Sequence, residues 1–167
     1  MVKLILYNNN EKDIALKLIK EFWLCHNQWE QTDCEVLEDL RNWTTDKHKF
    51  YFIIYDDKKV GFIHLGSRGC EIDWLEDIFV LPEYQGKGIG NQAIYLIEKI
   101  VKEYSDSLYI EAAARNEAVI RLYRKLGFDC LNTITIRKDF PKYAYDIINR
   151  EKIYNLDFEI RKKQNKM

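Results

Sequence analysis

Several kinds of residue are scarce in this chain, or absent where a function would require them. Only two of its 167 residues are proline and seven are glycine, so long structureless stretches are not expected. The formal net charge of -1 provides no electrostatic footprint for nucleic acid or an anionic membrane surface. No apolar run approaches the roughly 18 residues of a membrane span, and the N-terminus lacks a signal pattern. We therefore expect a cytoplasmic protein that binds neither nucleic acid nor a membrane.

The sequence also lacks the usual spacings of metal ligands. Its four cysteines form no CxxC pair, and its three histidines fall at no ligand spacing. We expect no metal, and we expect free, partly buried thiols in a reducing compartment. The residues concerned are Cys25, Cys34, Cys70 and Cys130, and His26, His48 and His64.

Length and composition predict one globular domain over residues 1–167, because 47% of the residues are hydrophobic and 32% are charged. Apolar spacing predicts the order β-α-α-β-β-β-α-β-α-β-β, which implies a mixed sheet flanked by helices. A fourth strand is predicted at residues 71–80 and a fifth at 108–112. The last two strands are predicted at 131–137 and 153–160, with an irregular segment containing Pro141 between them. Asp33 is predicted to cap the second helix.

A glycine-rich loop, Gln85-Gly86-Lys87-Gly88-Ile89-Gly90, joins a predicted strand to a predicted helix. Glycines let the backbone turn tightly, and the free N–H groups at the start of a helix suit a phosphate group. The P-loop pattern GxxxxGK[ST] is absent, and the dinucleotide pattern GxGxxG would need glycine where Asn91 stands. Alone, the loop fits either another kind of phosphate site or a plain glycine-rich turn.

Further motifs extend this signal. The segment LEDIFVLPEYQGKGIG occupies residues 75–90, Asn116 follows, and LYRKLGF occupies residues 122–128. Together they resemble the GNAT superfamily of N-acetyltransferases, in which a strand leads into V-x-P-x-Y and [QR]-x-x-G-x-[GA], and an asparagine precedes a tyrosine by seven residues. The motifs cover about the central third of the chain, and the β-α order extends the resemblance to nearly all of it.

The resemblance implies an α/β fold with a mixed, mostly antiparallel sheet of about seven strands, a splayed fourth and fifth strand, and about four helices. It also implies acetyl-CoA as co-substrate. The pyrophosphate would lie on backbone N–H groups of the loop, and pantetheine along the preceding strand, where an N–H at a bulge would polarise the thioester carbonyl. The implied cofactor-binding residues are Ile78, Phe79, Val80, Gln85, Gly86, Lys87, Gly88, Ile89, Gly90, Asn91, Asn116 and Tyr123.

The resemblance also implies catalytic roles. Tyr123 would protonate the departing thiolate, although its place on an apolar helix stripe also fits core packing. Asn116 would contact pantetheine or the sulfur region, and it is also a good helix N-cap. For the base that takes the amine proton, three alternatives stay open: Glu76 on the fourth strand, Glu111 five residues before Asn116, and a water relay.

These observations predict an acetyl-CoA-dependent N-acetyltransferase that transfers acetyl directly, within a ternary complex, to a primary amine. The acceptor would be a small molecule resembling an aminoglycoside or polyamine, or a peptide. The alternative is a catalytically idle acyl-CoA-binding sensor or interaction domain. A homodimer is compatible with either interpretation.

Overall fold

The computed structural model of the chain describes residues 1–140 and 144–164. The chain divides into two compact units, residues 1–111 and 112–167. The first unit contains β1 (Val2–Leu6), α1 (Lys12–Asn27), α2 (Asp33–Asn42), β2 (His48–Tyr55), β3 (Lys58–Gly66), β4 (Trp74–Val80), α3 (Ile89–Val101) and β5 (Tyr109–Ile110). The second contains α4 (Glu117–Lys125), β6 (Tyr145–Ile153) and β7 (Leu156–Lys163). The predicted mixed α/β fold is confirmed, but the strands form two sheets, of five and two strands.

The five-stranded sheet has the order β1-β2-β3-β4-β5. All neighbours are antiparallel except β4 and β5, which are parallel and pair only through Trp74 with Tyr109 and Leu75 with Ile110. After these two pairs the strands are no longer paired with each other, so a fork opens between them. A register shift against β3 leaves Glu76 as an extra residue, a β-bulge at the mouth of the fork.

Strands β2 and β3 form an antiparallel hairpin. Asp56 and Asp57 at its tip have φ values of 48° and 60°. Positive φ at both central residues is typical of the type I′ turn, whose twist matches that of the flanking strands.

Helix α2 begins with a capping box. The Thr32 hydroxyl accepts from the backbone N–H of Glu35, whose carboxylate accepts from the backbone N–H of Thr32 at 2.8 Å. The prediction that Asp33 caps this helix was therefore wrong by one residue, since Asp33 is its first helical residue. Both residues suit an N-terminus, but only Thr32 has the glutamate three positions later that completes the box.

The core of the first unit is aromatic. Phe22 of α1 packs its ring edge-on against Phe62 of β3 and Phe79 of β4, with ring centres 5.5 and 5.9 Å away. Aromatic contacts of this kind bury large areas and fix ring orientation. The rest of this cluster is Ala15, Leu18, Ile19, Val36, Leu40, Trp43, Phe50, Phe52 and Ile54.

Strands β4 and β5 are both shorter than predicted. Strand β4 starts at Trp74 rather than residue 71, because residues 67–73 form a loop whose last member, Asp73, accepts a hydrogen bond from Ser105. Strand β5 has only two residues, because its pairing with β4 ends at Ile110.

In the second unit, residues 131–137 form no strand, so that prediction was wrong despite four β-branched residues there. Strand formation depends on a paired neighbour more than on intrinsic preference. The strand predicted at 153–160 begins too early. Tyr154 and Asn155 form a turn at positive φ, and the strand after it is β7, from Leu156. Pro141 lies outside the described residues.

The cysteines also differ from the prediction, since all four are free and exposed rather than partly buried. In the described part of the chain, no group of three or more histidine, cysteine or acidic side chains is arranged to hold a metal ion. No helix within those residues has the length and apolar character needed to cross a membrane.

Candidate active site

The glycine-rich loop leads directly into α3. Gly86 and Gly88 have φ values of 74° and 73°, and a Cβ built at either would meet no described atom within 4 Å. The glycines are therefore required for the backbone conformation, and the space beside them is open. Gly88 is the N-cap of α3 and makes no side-chain capping bond, so the first N–H groups of the helix are available to an anion. A phosphate group fits this cradle.

The remaining loop residues hold the turn in place. The Gln85 side chain donates to the backbone carbonyl of Val80 at 2.7 Å, and Lys87 donates to the carbonyl of Glu83 at 2.9 Å. Ile89 is buried and anchors the start of α3, while Asn91 is exposed on its first turn. The predicted phosphate-binding residues therefore lie together at one helix N-terminus.

One edge of β4 faces away from β3. The Leu81 N–H donates to Val60 of β3, so the backbone groups of the preceding residue, Val80, point to the opposite edge. By the same alternation the backbone of Ile78 also faces that edge, whereas the Phe79 side chain packs in the core. This edge can pair with an extended chain such as pantetheine.

Two carboxylates stand at the mouth of the fork. The last residues that pair β4 with β5 are Leu75 and Ile110, and Glu76 and Glu111 directly follow them in the sequence. The Arg68 guanidinium lies between them, and its nitrogens lie 2.7 Å from Glu76 and 2.9 Å from Glu111. The structure thus brings both predicted bases together, and it adds a cation that the sequence did not predict.

The ion pairs shift the pKa values of Glu111 and Arg68. Hydrogen bonds from Arg68 hold the pKa of Glu111 below its usual value, and both carboxylates raise the pKa of Arg68. The guanidinium also stacks over Trp74 at 3.9 Å, and Trp74 in turn stacks on Tyr109. Glu111 therefore remains charged at lower pH than an isolated glutamate.

A partly buried chain of polar side chains lies beside the fork. His64 is 3% exposed, and its two ring nitrogens lie 2.8 Å from His48 and 2.8 Å from Asp77. Burial, followed by the neighbouring charge of His64, lowers the pKa of His48. A Cβ added to Gly66 would meet the Glu76 side chain at 2.9 Å and the His48 ring at 3.2 Å. Both side chains therefore lie beside Gly66, and the His48 end of the polar chain is close to Glu76.

Sequence reasoning missed Arg68 and this histidine chain for different reasons. His48 and His64 are sixteen residues apart, a separation that has meaning only once the β2–β3 register pairs His48 with Gly66. Arg68 lies in a loop without regular spacing. The available signal was His64 itself, a single polar residue within the otherwise apolar run from Val60 to Leu65.

In the second unit, Asn116 and Tyr123 lie on α4. Asn116 is the N-cap, and its side-chain oxygen accepts from the Val119 N–H at 3.3 Å, as predicted for the capping role. The amide nitrogen of Asn116 keeps its donors for other partners. Tyr123 is half-buried with its ring 5.7 Å from that of Phe128, and burial raises its pKa. Gly127, at φ 101°, follows the C-cap Leu126, and glycine is common at this position after a helix.

Known proteins resemble this chain in sequence and structure. The model of the acetyltransferase (GNAT) family matches residues 15–128. An aminoglycoside N(6′)-acetyltransferase type 1 of Acinetobacter baumannii is 25% identical over 111 residues, which are 60% of this chain and 76% of that protein. The ribosomal protein bS18-alanine N-acetyltransferase of Escherichia coli K12 is 39% identical over 67 residues, 40% of this chain and 43% of that protein.

The spermidine N(1)-acetyltransferase of E. coli K12 is 31% identical over 100 residues, half of either chain. A solved structure, the aminoglycoside acetyltransferase AAC(6′)-Iy in complex with a CoA-containing bisubstrate analogue, superposes with a TM-score of 0.63 at 20% identity. That match covers 84% of this chain and 99% of the other. At this identity the superposition shows a shared fold.

Proposed function

The chain belongs to the acetyltransferase (GNAT) family and is an acetyl-CoA-dependent N-acetyltransferase, and we propose that it acts on a cationic primary amine. The observation that carries the proposal is the fork between β4 and β5, with two carboxylates at its mouth. The family match spans residues on both sides of position 111, so we propose that the two units act as one catalytic domain.

In this proposal the glycine-rich loop binds the pyrophosphate of acetyl-CoA. Gln85, Gly86, Lys87, Gly88, Ile89, Gly90 and Asn91 would contribute backbone N–H groups and the dipole of α3. The left-handed Gly86 and Gly88 and the uncapped helix start support this role.

Pantetheine would lie along the free edge of β4. Ile78, Phe79 and Val80 span the segment concerned. The outward backbone groups of Ile78 would pair with it, and so would the N–H of Val80, whose carbonyl already accepts from Gln85. A backbone N–H near the Glu76 bulge would hydrogen-bond the thioester oxygen and stabilise the negative charge that develops there.

Tyr123 and Asn116 of α4 are further proposed contacts of acetyl-CoA. Burial raises the pKa of Tyr123, so its hydroxyl stays protonated at neutral pH and can donate to the departing thiolate. Asn116 would use its free amide N–H groups toward pantetheine while its oxygen caps α4.

The amine proton must pass to a base before the amine can attack the thioester. Glu76 stands at the bulge of β4, where the thioester is proposed to lie, whereas Arg68 holds the pKa of Glu111 below its usual value and so keeps Glu111 charged. We therefore propose Glu76 as the base and Glu111 as a charge that attracts the ammonium; a water relay is the competing route.

The acceptor class follows from charge and from the relatives. Glu76 and Glu111 together exceed the single charge of Arg68, so the fork carries one net negative charge that suits an ammonium group. The relatives are named for acetylation of an aminoglycoside, spermidine and a ribosomal-protein alanine. Small polycations and peptide N-termini are therefore the two acceptor classes to test.

The test measures binding and turnover separately. Calorimetry should show that acetyl-CoA binds the wild-type protein and that Gly88→Asp abolishes binding by placing a carboxylate beside the phosphates. Gly88→Ala, which carries the same backbone strain without the charge, should weaken binding less. Thiol release should then be followed with spermidine, an aminoglycoside and an alanine-initiated peptide. Unchanged affinity in a folded Gly88→Asp protein would disprove the phosphate site. Tight binding without thiol release for any acceptor would favour the idle acyl-CoA sensor.

A further inference from the structure

Arg68 joins β4 to β5 at the point where the two strands separate. Its Nε and Nη2 donate to the two oxygens of Glu76 at 3.1 and 2.7 Å. Its Nη2 also donates to Glu111 Oε2 at 3.0 Å, and its Nη1 lies 2.9 Å from Glu111 Oε1. A planar guanidinium that meets each carboxylate through two nitrogens fixes orientation as well as distance.

We propose that Arg68 is a positioning residue for acetyl transfer, which ties Glu76 to Glu111 across the fork and so sets where both carboxylates point. The inference rests on the proposed function of this site. Arg68 acts through the two glutamates and makes no contact with the acetyl group or the acceptor nitrogen.

The aromatic residues at the base of the fork restrict the guanidinium. Its central carbon lies 3.9 Å from the ring centre of Trp74, and that ring stacks on Tyr109 with centres 5.0 Å apart and planes 14° apart. Trp74 and Tyr109 are themselves a paired position of β4 and β5. Arg68 therefore packs on Trp74, which belongs to the paired part of β4 and β5. It also bonds to Glu76 and Glu111, which directly follow that paired part.

The arrangement leaves the carboxylates able to bind an ammonium group. A carboxylate has about four lone-pair positions, and each glutamate uses about two toward Arg68. One guanidinium between two carboxylates leaves one net negative charge. The lowered pKa of Glu111 agrees with this pairing. An incoming ammonium can therefore be oriented without displacing Arg68.

A competing interpretation is that Arg68 occupies the acceptor's place and must leave before the amine binds. The two interpretations predict opposite kinetic results. A positioning residue, when removed, lowers kcat, because misplaced groups slow the transfer step. An internal competitor, when removed, raises kcat/KM for the acceptor. If Arg68 formed only an exposed ion pair without a role in catalysis, its removal would change neither kcat nor kcat/KM.

The experiment compares Arg68→Gln and Arg68→Lys with Arg161→Gln. Arg161 is a matched control, because it also bonds two carboxylates, Glu159 and Asp139, and its side chain is 38% exposed like that of Arg68. We expect Arg68→Gln to lower kcat by about 10- to 100-fold with the acetyl-CoA KM unchanged. Arg68→Lys should recover only part of this loss, since lysine retains the charge but lacks the planar fork. Arg161→Gln should behave as wild type.

A second readout does not depend on turnover. The side-chain carboxyl of Glu111 can be titrated by carbon-detected NMR, and its pKa should rise in Arg68→Gln because the stabilising cation is gone. An unmoved Glu111 titration, a wild-type kcat, or an increased acceptor kcat/KM would each overturn the proposal. If Arg68→Gln does not fold, the same comparisons use Arg68→Lys. A wild-type protein that transfers no acetyl group would instead refute the proposed function, and the titration would still measure the pairing.

Discussion

Gly61 of β3 offers the sharpest test of how the central strands are packed. A Cβ built at this position would lie 2.0 Å from the carbonyl oxygen of Phe79 and 2.9 Å from the Cα of Val80. Ordinary contact begins at about 3.4 Å, and both obstacles are backbone atoms that cannot rotate away. Gly61→Ala must therefore push β3 and β4 apart along the segment proposed to pair with pantetheine.

The magnitude follows from two opposing effects. Replacing glycine by alanine restricts the unfolded chain, which would stabilise the protein by about 0.4–1 kcal/mol. Overpacking one carbon into a close-packed interior costs about 1–3 kcal/mol, and a backbone obstacle raises that cost further. With a cost of about 3 kcal/mol or more, the upper end of that range, and a gain of at most about 1 kcal/mol, we expect a net loss of at least about 2 kcal/mol in the free energy of unfolding.

Urea unfolding followed by circular dichroism measures this loss as a lower midpoint at an unchanged slope. Gly69→Ala is the matched control, because a Cβ there meets nothing within 4 Å and should leave the midpoint equal or slightly higher. Calorimetry on any folded Gly61→Ala protein should also show weaker acetyl-CoA binding. A midpoint equal to that of wild type would refute the close approach of β3 to β4.

Three further predictions concern single side chains. Tyr123→Phe keeps the ring packing and removes the hydroxyl, so kcat should fall by roughly 10²-fold with little change in acetyl-CoA affinity; an equally active variant would leave Tyr123 with a packing role only. Glu76→Gln should lower kcat/KM most at low pH, where the acceptor is ammonium, whereas Glu111→Gln should give a smaller defect independent of pH; the reverse result would transfer the base role to Glu111. Burial, followed by the charge of His64, lowers the pKa of His48 below its ordinary 6.5, although Glu76 opposes the shift. The unfolded chain therefore binds more protons as pH falls below about 6.5, and wild-type stability declines there. His48→Gln should lessen the decline of Tm between pH 7.5 and 5.5, and an unchanged decline would contradict this assignment.

The fold was predictable wherever one short-range rule decides an element. The β2–β3 hairpin, the start of α3 after Gly88 and the Asn116 cap follow from turn and capping chemistry that acts over a few residues. The segment 131–137 was mispredicted because its β-branched residues suit a strand but form no strand pairing. Intrinsic preference alone could not reveal a missing neighbour.

The site was predictable to a similar extent. The loop and both glutamates could be named because they stand in local motifs, and the structure places Glu76 in β4 and Glu111 directly after β5. Their joint contact with Arg68 joins three segments that are separated by eight and by 43 positions. No local pattern encodes such a contact, which depends on the parallel pairing of β4 with β5.

The partly buried chain from Asp77 through His64 to His48 has a consequence for the uniqueness of the fold. It links β2, β3 and β4 by side chains, in addition to the backbone ladder. A slip of one residue between these strands would turn His64 to the opposite face of the sheet and leave Asp77 without its partner. Apolar neighbours such as Phe62 and Ile63 would tolerate that exchange far better, because either face could bury them. The three polar residues therefore raise the free energy of the shifted pairings relative to the native one. They specify the one alignment of the strands on which the fork depends.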